Sequence, residues 1–157
     1  MHESTSLINR QIGPINKFLN WVFTGNKPRI FRRLVGLFFH IELPILVYPI
    51  VLPHPYGIVV NDRVKLGRNV KIFQGVTIGS KQFGRNSGVA TIGDDVVIYP
   101  NAVVVGGIFI GRGAAIAPGS VVINDVPNDA TVAGNPARII LPRSTRHNSA
   151  APSFSRS

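Results

Sequence analysis

Every sixth residue is aliphatic through most of the stretch from Val60 to Pro127. Val60, Leu66, Ile72 and Ile78 form the first run, and Ile92, Ile98, Val104, Ile110, Ile116 and Val122 resume it after an interruption. Four residues after most of them stands a second small or aliphatic residue: Val64, Val70, Val76, Val96, Ala102, Ile108, Ala114, Ser120 and Val126. This period matches neither an α-helix nor an alternating strand. It specifies a coil of short parallel strands in which three six-residue units close one turn. The aliphatic residue of each unit points inward, and stacked turns bury one continuous column. Small residues that follow it, as at Gly67, Gly79, Gly93, Gly111 and Ala117, suit the corners. An ordinary β-sandwich would need turn signals every 8–12 residues rather than a fixed six.

The 157 residues divide into an N-terminal helical cap (1–45), the coil (46–141) and a basic tail (142–157). Apolar residues at Leu7, Ile8, Ile12, Ile15, Phe18, Leu19, Val22 and Phe23 space out an amphipathic helix, bent around Gly13-Pro14. A second helix is predicted from Pro28 to about Phe39, with Arg29, Arg32 and Arg33 on its exposed side. The helices would cover the open end of the first coil. No small-residue cleavage site follows a compact apolar run, so a signal peptide is not expected. The run Leu34–Leu52 holds His40, Glu42, Pro44 and Pro49, which suits entry to the coil better than a membrane span. The tail from Arg143 is too polar to order itself.

With no Cys, the chain has neither a disulfide framework nor a cysteine nucleophile. Its net charge of +10 favours anionic partners, and the basic helices offer a surface for peripheral membrane contact. No aromatic-interleaved basic module is present, so nucleic acid is not an expected partner. Of four histidines, His54 stands out: it lies six residues before Val60, at a repeat position where the core should be aliphatic. An imidazole there is costly unless it has a task. The interruption Ser80–Thr91 is a polar loop on an otherwise regular coil, the kind of insertion that carries function.

The segment His54-Pro55-Tyr56-Gly57-Ile58-Val59-Val60 with Ile72-Phe73-Gln74-Gly75-Val76-Thr77-Ile78-Gly79 resembles the catalytic coil of the serine acetyltransferase family and related polysaccharide O-acetyltransferases. Thr91–Val96, Ala117–Val122, Asp125-Val126-Pro127 and Ala133–Ile140 continue the match. The resemblance implies a hexapeptide-repeat, left-handed parallel β-helix, mainly β, with active sites between the subunits of a homotrimer. It implies acetyl-CoA as acyl donor and His54 as general base, taking a hydroxyl proton as the oxygen attacks the thioester. Backbone N–H groups at the coil corner would hold the oxyanion. By position, Gly79, Ser80 and Lys81 would line one end of the CoA groove, and Gly134, Pro136, Ala137 and Arg138 the other. Lys81 and Arg138 offer charge to phosphates. Tyr56, Gln74 and Arg85 are the candidates for acceptor contacts. No metal is expected, because a solenoid metal site would need several histidines on adjacent coils.

The departures bear on the acceptor. Where serine acetyltransferases carry an Arg-His-Pro-Lys-Ile pattern, this chain has Gly88-Val89-Ala90-Thr91-Ile92. Pro53 replaces the Asp before the catalytic His, and a Lys of the penultimate coil is Ala115. Glu42 is the only acid between Glu3 and Asp62, leaving the imidazole's acidic partner unidentified. A sugar or polysaccharide precursor is therefore the expected acceptor, with L-serine as the alternative and a non-catalytic binding module as the third reading. The expected location is the cytoplasm, with possible membrane association.

Overall fold

A computed structural model describes residues 14–23, 28–44, 46 and 48–142. The expected turns before Pro14 and the tail from Arg143 lie outside the described residues.

Helix α1 (Pro14–Phe23) starts on a proline, whose missing N–H costs nothing in a first turn. Helix α2 (Arg29–Phe39) follows Pro28 and ends at His40, which adopts a left-handed conformation with φ 52°. There the N–H of His40 donates to the Leu37 carbonyl and that of Ile41 to Gly36, satisfying carbonyls of the last turn. Leu19, Val22 and Phe23 of α1 are buried in one cluster with Ile41, Leu46, Ile50 and the coil interior. The Leu46 N–H donates to the Phe23 carbonyl.

Helix α2 differs from expectation on its outer face. Arg32 is half-buried, with Nε shielded, and Ile30, Leu34, Leu37 and Phe38 are the exposed residues beside Arg33. The inner stripe, Phe31 and Val35, already supplies the contact with the core, so the second apolar stripe is left outside.

From Val59 onward the chain winds into three parallel sheets. One holds β1 (Val59–Val60), β4 (Thr77–Gly79), β7 (Val103–Val105) and β10 (Val121–Val122). The second holds β2 (Lys65–Leu66), β5 (Thr91–Ile92) and β8 (Phe109–Ile110). The third holds β3 (Lys71–Ile72), β6 (Val97–Ile98) and β9 (Ala115–Ile116), extended by β11 (Ala130–Gly134) and β12 (Ala137–Pro142). Val59 pairs with Thr77, a step of 18 residues, and Val103 pairs with Val121 at the same step. Thr77 pairs with Val103 across 26 residues, because the loop after β4 adds eight.

The repeat explains the core. Ile72, Ile78, Ile98, Ile110 and Ile116 are fully buried, and only Leu66 of the sixth-residue series is half-buried. Each buried Ile contributes roughly 1.5–3 kcal/mol over an exposed one. Two corners turn through left-handed residues that stack coil on coil. Gly57, Gly75, Asn101 and Gly119 form one such column, and Asn69, Asp95, Gly113 and Asp129 the other. At Gly75 (φ +68°) a Cβ would also run into the side chain of Asn101.

The last turn departs from the repeat. Strand β11 joins β9 in parallel and then reverses into β12 as an antiparallel hairpin. The chain thus closes its final edge with its own strand.

Candidate active site

His54 does not occupy an inward repeat position. The bridge Val51↔Lys71 places Leu52 over Ile72, and the pairing Val59↔Thr77 places Ile58 over Val76. Leu52 to Ile58 is a step of six where Ile72 to Val76 is a step of four. The first corner, Pro53-His54-Pro55-Tyr56-Gly57, therefore carries two extra residues, and they push His54 out of the core to an exposed position. Leu52 and Ile58 on either side remain buried and fix the ends of this corner. The corner is tied internally, since the Tyr56 N–H donates to the His54 carbonyl at 2.9 Å. It is tied to the next coil by the Gly75 N–H, which donates to the Tyr56 carbonyl at 3.0 Å.

The imidazole borders an open groove of about 340 Å³ lined by Val51, Pro53, His54, Lys71 and Phe73. Its ring lies 6.4 Å from that of Phe73. Phe73 in turn stacks on Tyr99 of the following coil, 5.3 Å between centroids and 17° between planes. Among the described residues no carboxylate bonds the imidazole, and Glu42 instead pairs its backbone with Val59. The groove thus sets the imidazole beside Lys71 and an aromatic wall.

The other predicted residues fall into three places. Tyr56 is exposed beside His54 and packs against His40, 5.2 Å between rings. Gln74 follows Phe73, and its Oε1 is buried without a hydrogen-bond partner among the described residues. Gly79 ends β4, and Ser80, Lys81 and Arg85 belong to the loop after it. There Lys81 and Gly88 exchange backbone hydrogen bonds, and the Lys81 Nζ donates to the Arg85 carbonyl at 2.7 Å. The ammonium expected to meet phosphate is therefore folded back on its own loop. Ala90 is buried and Thr91 lies in β5, so the loop rejoins the coil earlier than Thr91.

Gly134, Pro136, Ala137 and Arg138 gather at the turn between β11 and β12. Ala137 and Arg138 line a second groove of about 370 Å³ with Asn124, Asp125 and Ile139. The Arg138 guanidinium donates to the Ala137 carbonyl at 3.0 Å and is exposed. No hydrogen bond or ion pair among the described residues links this turn to His54.

Residues 90–124 match the family of bacterial transferase hexapeptide repeats (six repeats). A serine acetyltransferase of Bacillus licheniformis is 42% identical over 90 residues, which cover 57% of this chain and 42% of that protein. A crystal structure of the Neisseria gonorrhoeae serine acetyltransferase in complex with serine superposes with a TM-score of 0.52 at 43% identity, covering 57% of this chain and 36% of that one. A serine acetyltransferase in complex with CoA gives a TM-score of 0.61 at 32% identity, covering 71% and 46%. The coil is thus similar to the hexapeptide-repeat coil of serine acetyltransferases.

The repeat match and the likeness to serine acetyltransferase structures imply the left-handed hand of the coil. The chain spans less than half the length of the family members just described. Against the family's loop pattern, this chain's loop ends in Gly88 with φ +118°, half-buried Val89 and buried Ala90, so no cation or imidazole stands there. Sequence reading missed Lys71 and Phe73 as neighbours of His54, and Tyr99 as the ring stacked on Phe73. Only stacking of the coils, at the steps given by β3 and β6, brings them together. Neither the family match nor these relatives bear on membrane contact. No described helix is long and apolar enough to cross a membrane.

Proposed function

We propose that this protein is an acetyl-CoA-dependent O-acetyltransferase with His54 as its general base. The observation that carries the reading is the exposed imidazole on an enlarged corner of an otherwise aliphatic coil similar to that of serine acetyltransferases. An acceptor hydroxyl in the groove gives its proton to the imidazole while its oxygen bonds to the thioester carbonyl carbon. The tetrahedral oxyanion then collapses, the C–S bond breaks, and the imidazolium returns the proton to the departing CoA sulfur. The imidazole is unchanged at the end, and the products are an acetyl ester and free CoA. A general base so placed contributes about 10²–10⁴-fold in rate.

L-serine is the acceptor that the relatives favour, since one is named with serine bound. A sugar hydroxyl is the second reading, supported by one observation: Gly88-Val89-Ala90-Thr91 stands where the family pattern has Arg, His, Pro and Lys. Without those groups the Gly88–Ala90 end of the loop has no side chain to hold an ammonium or a carboxylate. The CoA arm is assigned to Gly79, Ser80 and the hairpin residues Gly134, Pro136, Ala137 and Arg138. The groove at His54 is open in a single chain, and a homotrimer would supply its far wall. Helices α1 and α2 serve as the cover of the first coil. Free thiol release from acetyl-CoA with L-serine, and then with a panel of sugars, tests this reading.

A further inference from the structure

Phe73, Tyr99 and Ala117 hold equivalent places on successive coils: their N–H groups donate to Ile98, Ile116 and Val132. The bridge Val51↔Lys71 sets Pro53 beneath Phe73, so the column starts at the corner that carries His54. Two aromatic rings thus stack above the corner that carries His54, with the Phe73 ring tilted 48° to the imidazole at 6.4 Å, and the column then steps down to an alanine. Tyr99 is left 38% exposed, and Phe73 forms a wall of the His54 groove. An aromatic pair on the outside of a coil gives nothing to the aliphatic core, which is complete without it. Lys71 lines the same groove.

We propose that the Phe73–Tyr99 stack, with Lys71 beside it, is the acceptor subsite and takes the apolar face of a pyranose ring. The proposal rests on His54 as the transfer centre and specifies which hydroxyl compound it serves. A pyranose presents a face of C–H groups that suits the electron-rich face of an aromatic ring. Its rim hydroxyls can accept from the Lys71 ammonium. A ring lying against this wall holds a rim hydroxyl toward the imidazole. L-serine has no such face to offer.

The test is binding by saturation-transfer NMR with methyl pyranosides and with L-serine, beside the thiol-release assay. The proteins are the wild type, His54→Ala, Phe73→Leu and Tyr99→Ala. Phe73→Leu keeps apolar volume, and circular dichroism checks that each variant is folded. We expect pyranoside binding by the wild type and by His54→Ala, weakened about three- to tenfold in Phe73→Leu and Tyr99→Ala. No pyranoside binding at millimolar concentrations, or equal binding by all four proteins, overturns the subsite. So does a rise in the KM for acetyl-CoA alone, which would place the rings on the donor side. Pyranoside binding that depends on the rings, without thiol release, supports the subsite and sinks the enzymatic reading. Thiol release with L-serine at a KM indifferent to both ring substitutions sinks the subsite and leaves the enzymatic reading standing.

Discussion

The imidazole of His54 lies 6.4 Å from the ring of Phe73 because the corner beneath Phe73 is two residues longer than the one above. Equal corners would have left position 54 in phase with the interior. The extra length sets a proton-accepting group outside a dry aliphatic column while keeping it anchored by buried Leu52 and Ile58. Rigidity of the coil and exposure of the side chain are thus obtained together.

The column of left-handed corner residues predicts a stability difference between two glycines. Gly75→Ala meets both a positive φ and the Asn101 side chain, and costs at least about 1–3 kcal/mol. Gly79→Ala has nothing within 4 Å of its added Cβ and should leave the melting temperature unchanged. If Gly79 lines the acetyl-CoA groove, the same variant raises the KM for acetyl-CoA. Thermal melts of both variants and steady-state kinetics of Gly79→Ala check these outcomes.

The interior column makes its own demand. Ile98 is fully buried between Ile72 and Ile116 on adjacent coils. Ile98→Ala removes transfer energy and leaves a cavity, at a cost of about 2–5 kcal/mol. Chemical denaturation should show a lower midpoint, whereas Tyr99→Ala on the outer surface should move it little.

Deleting residues 81–88 leaves Ser80 joined to Val89 and restores a step of six between Ile78 and Ile92. The coil should fold with an unchanged β-sheet spectrum, because Lys81 and Gly88 already meet at the base of the loop. Loss of thiol release in this folded deletion would mark the loop as part of the site. Retained release would reduce it to a tolerated insertion.

The coil was legible because stacking imposes a period: a residue every six positions must be aliphatic, and all but Leu66 of that series are buried. The exposure of His54 was not, because counting sixes assumes a constant corner, and the first corner is longer. Phe73 and Tyr99 escaped notice for a related reason. They are neighbours across 26 residues, where the regular coil step is 18. The final hairpin also broke the rule, since an antiparallel return through Asn135-Pro136 carries no repeat. The helices followed their prolines and apolar spacing, yet the outward stripe of α2 depends on which face meets the core, a matter of packing rather than pattern.

Acceptor-dependent release of CoA thiol, compared between the wild type and His54→Ala, bears most directly on acetyl transfer at His54. His54 is exposed, so the variant should melt at the wild-type temperature. We expect release with a hydroxyl acceptor in the wild type, reduced about 10²–10⁴-fold in the variant. Equal release by the two proteins, or none by either with L-serine or any sugar, would contradict His54 as the base of an O-acetyltransferase.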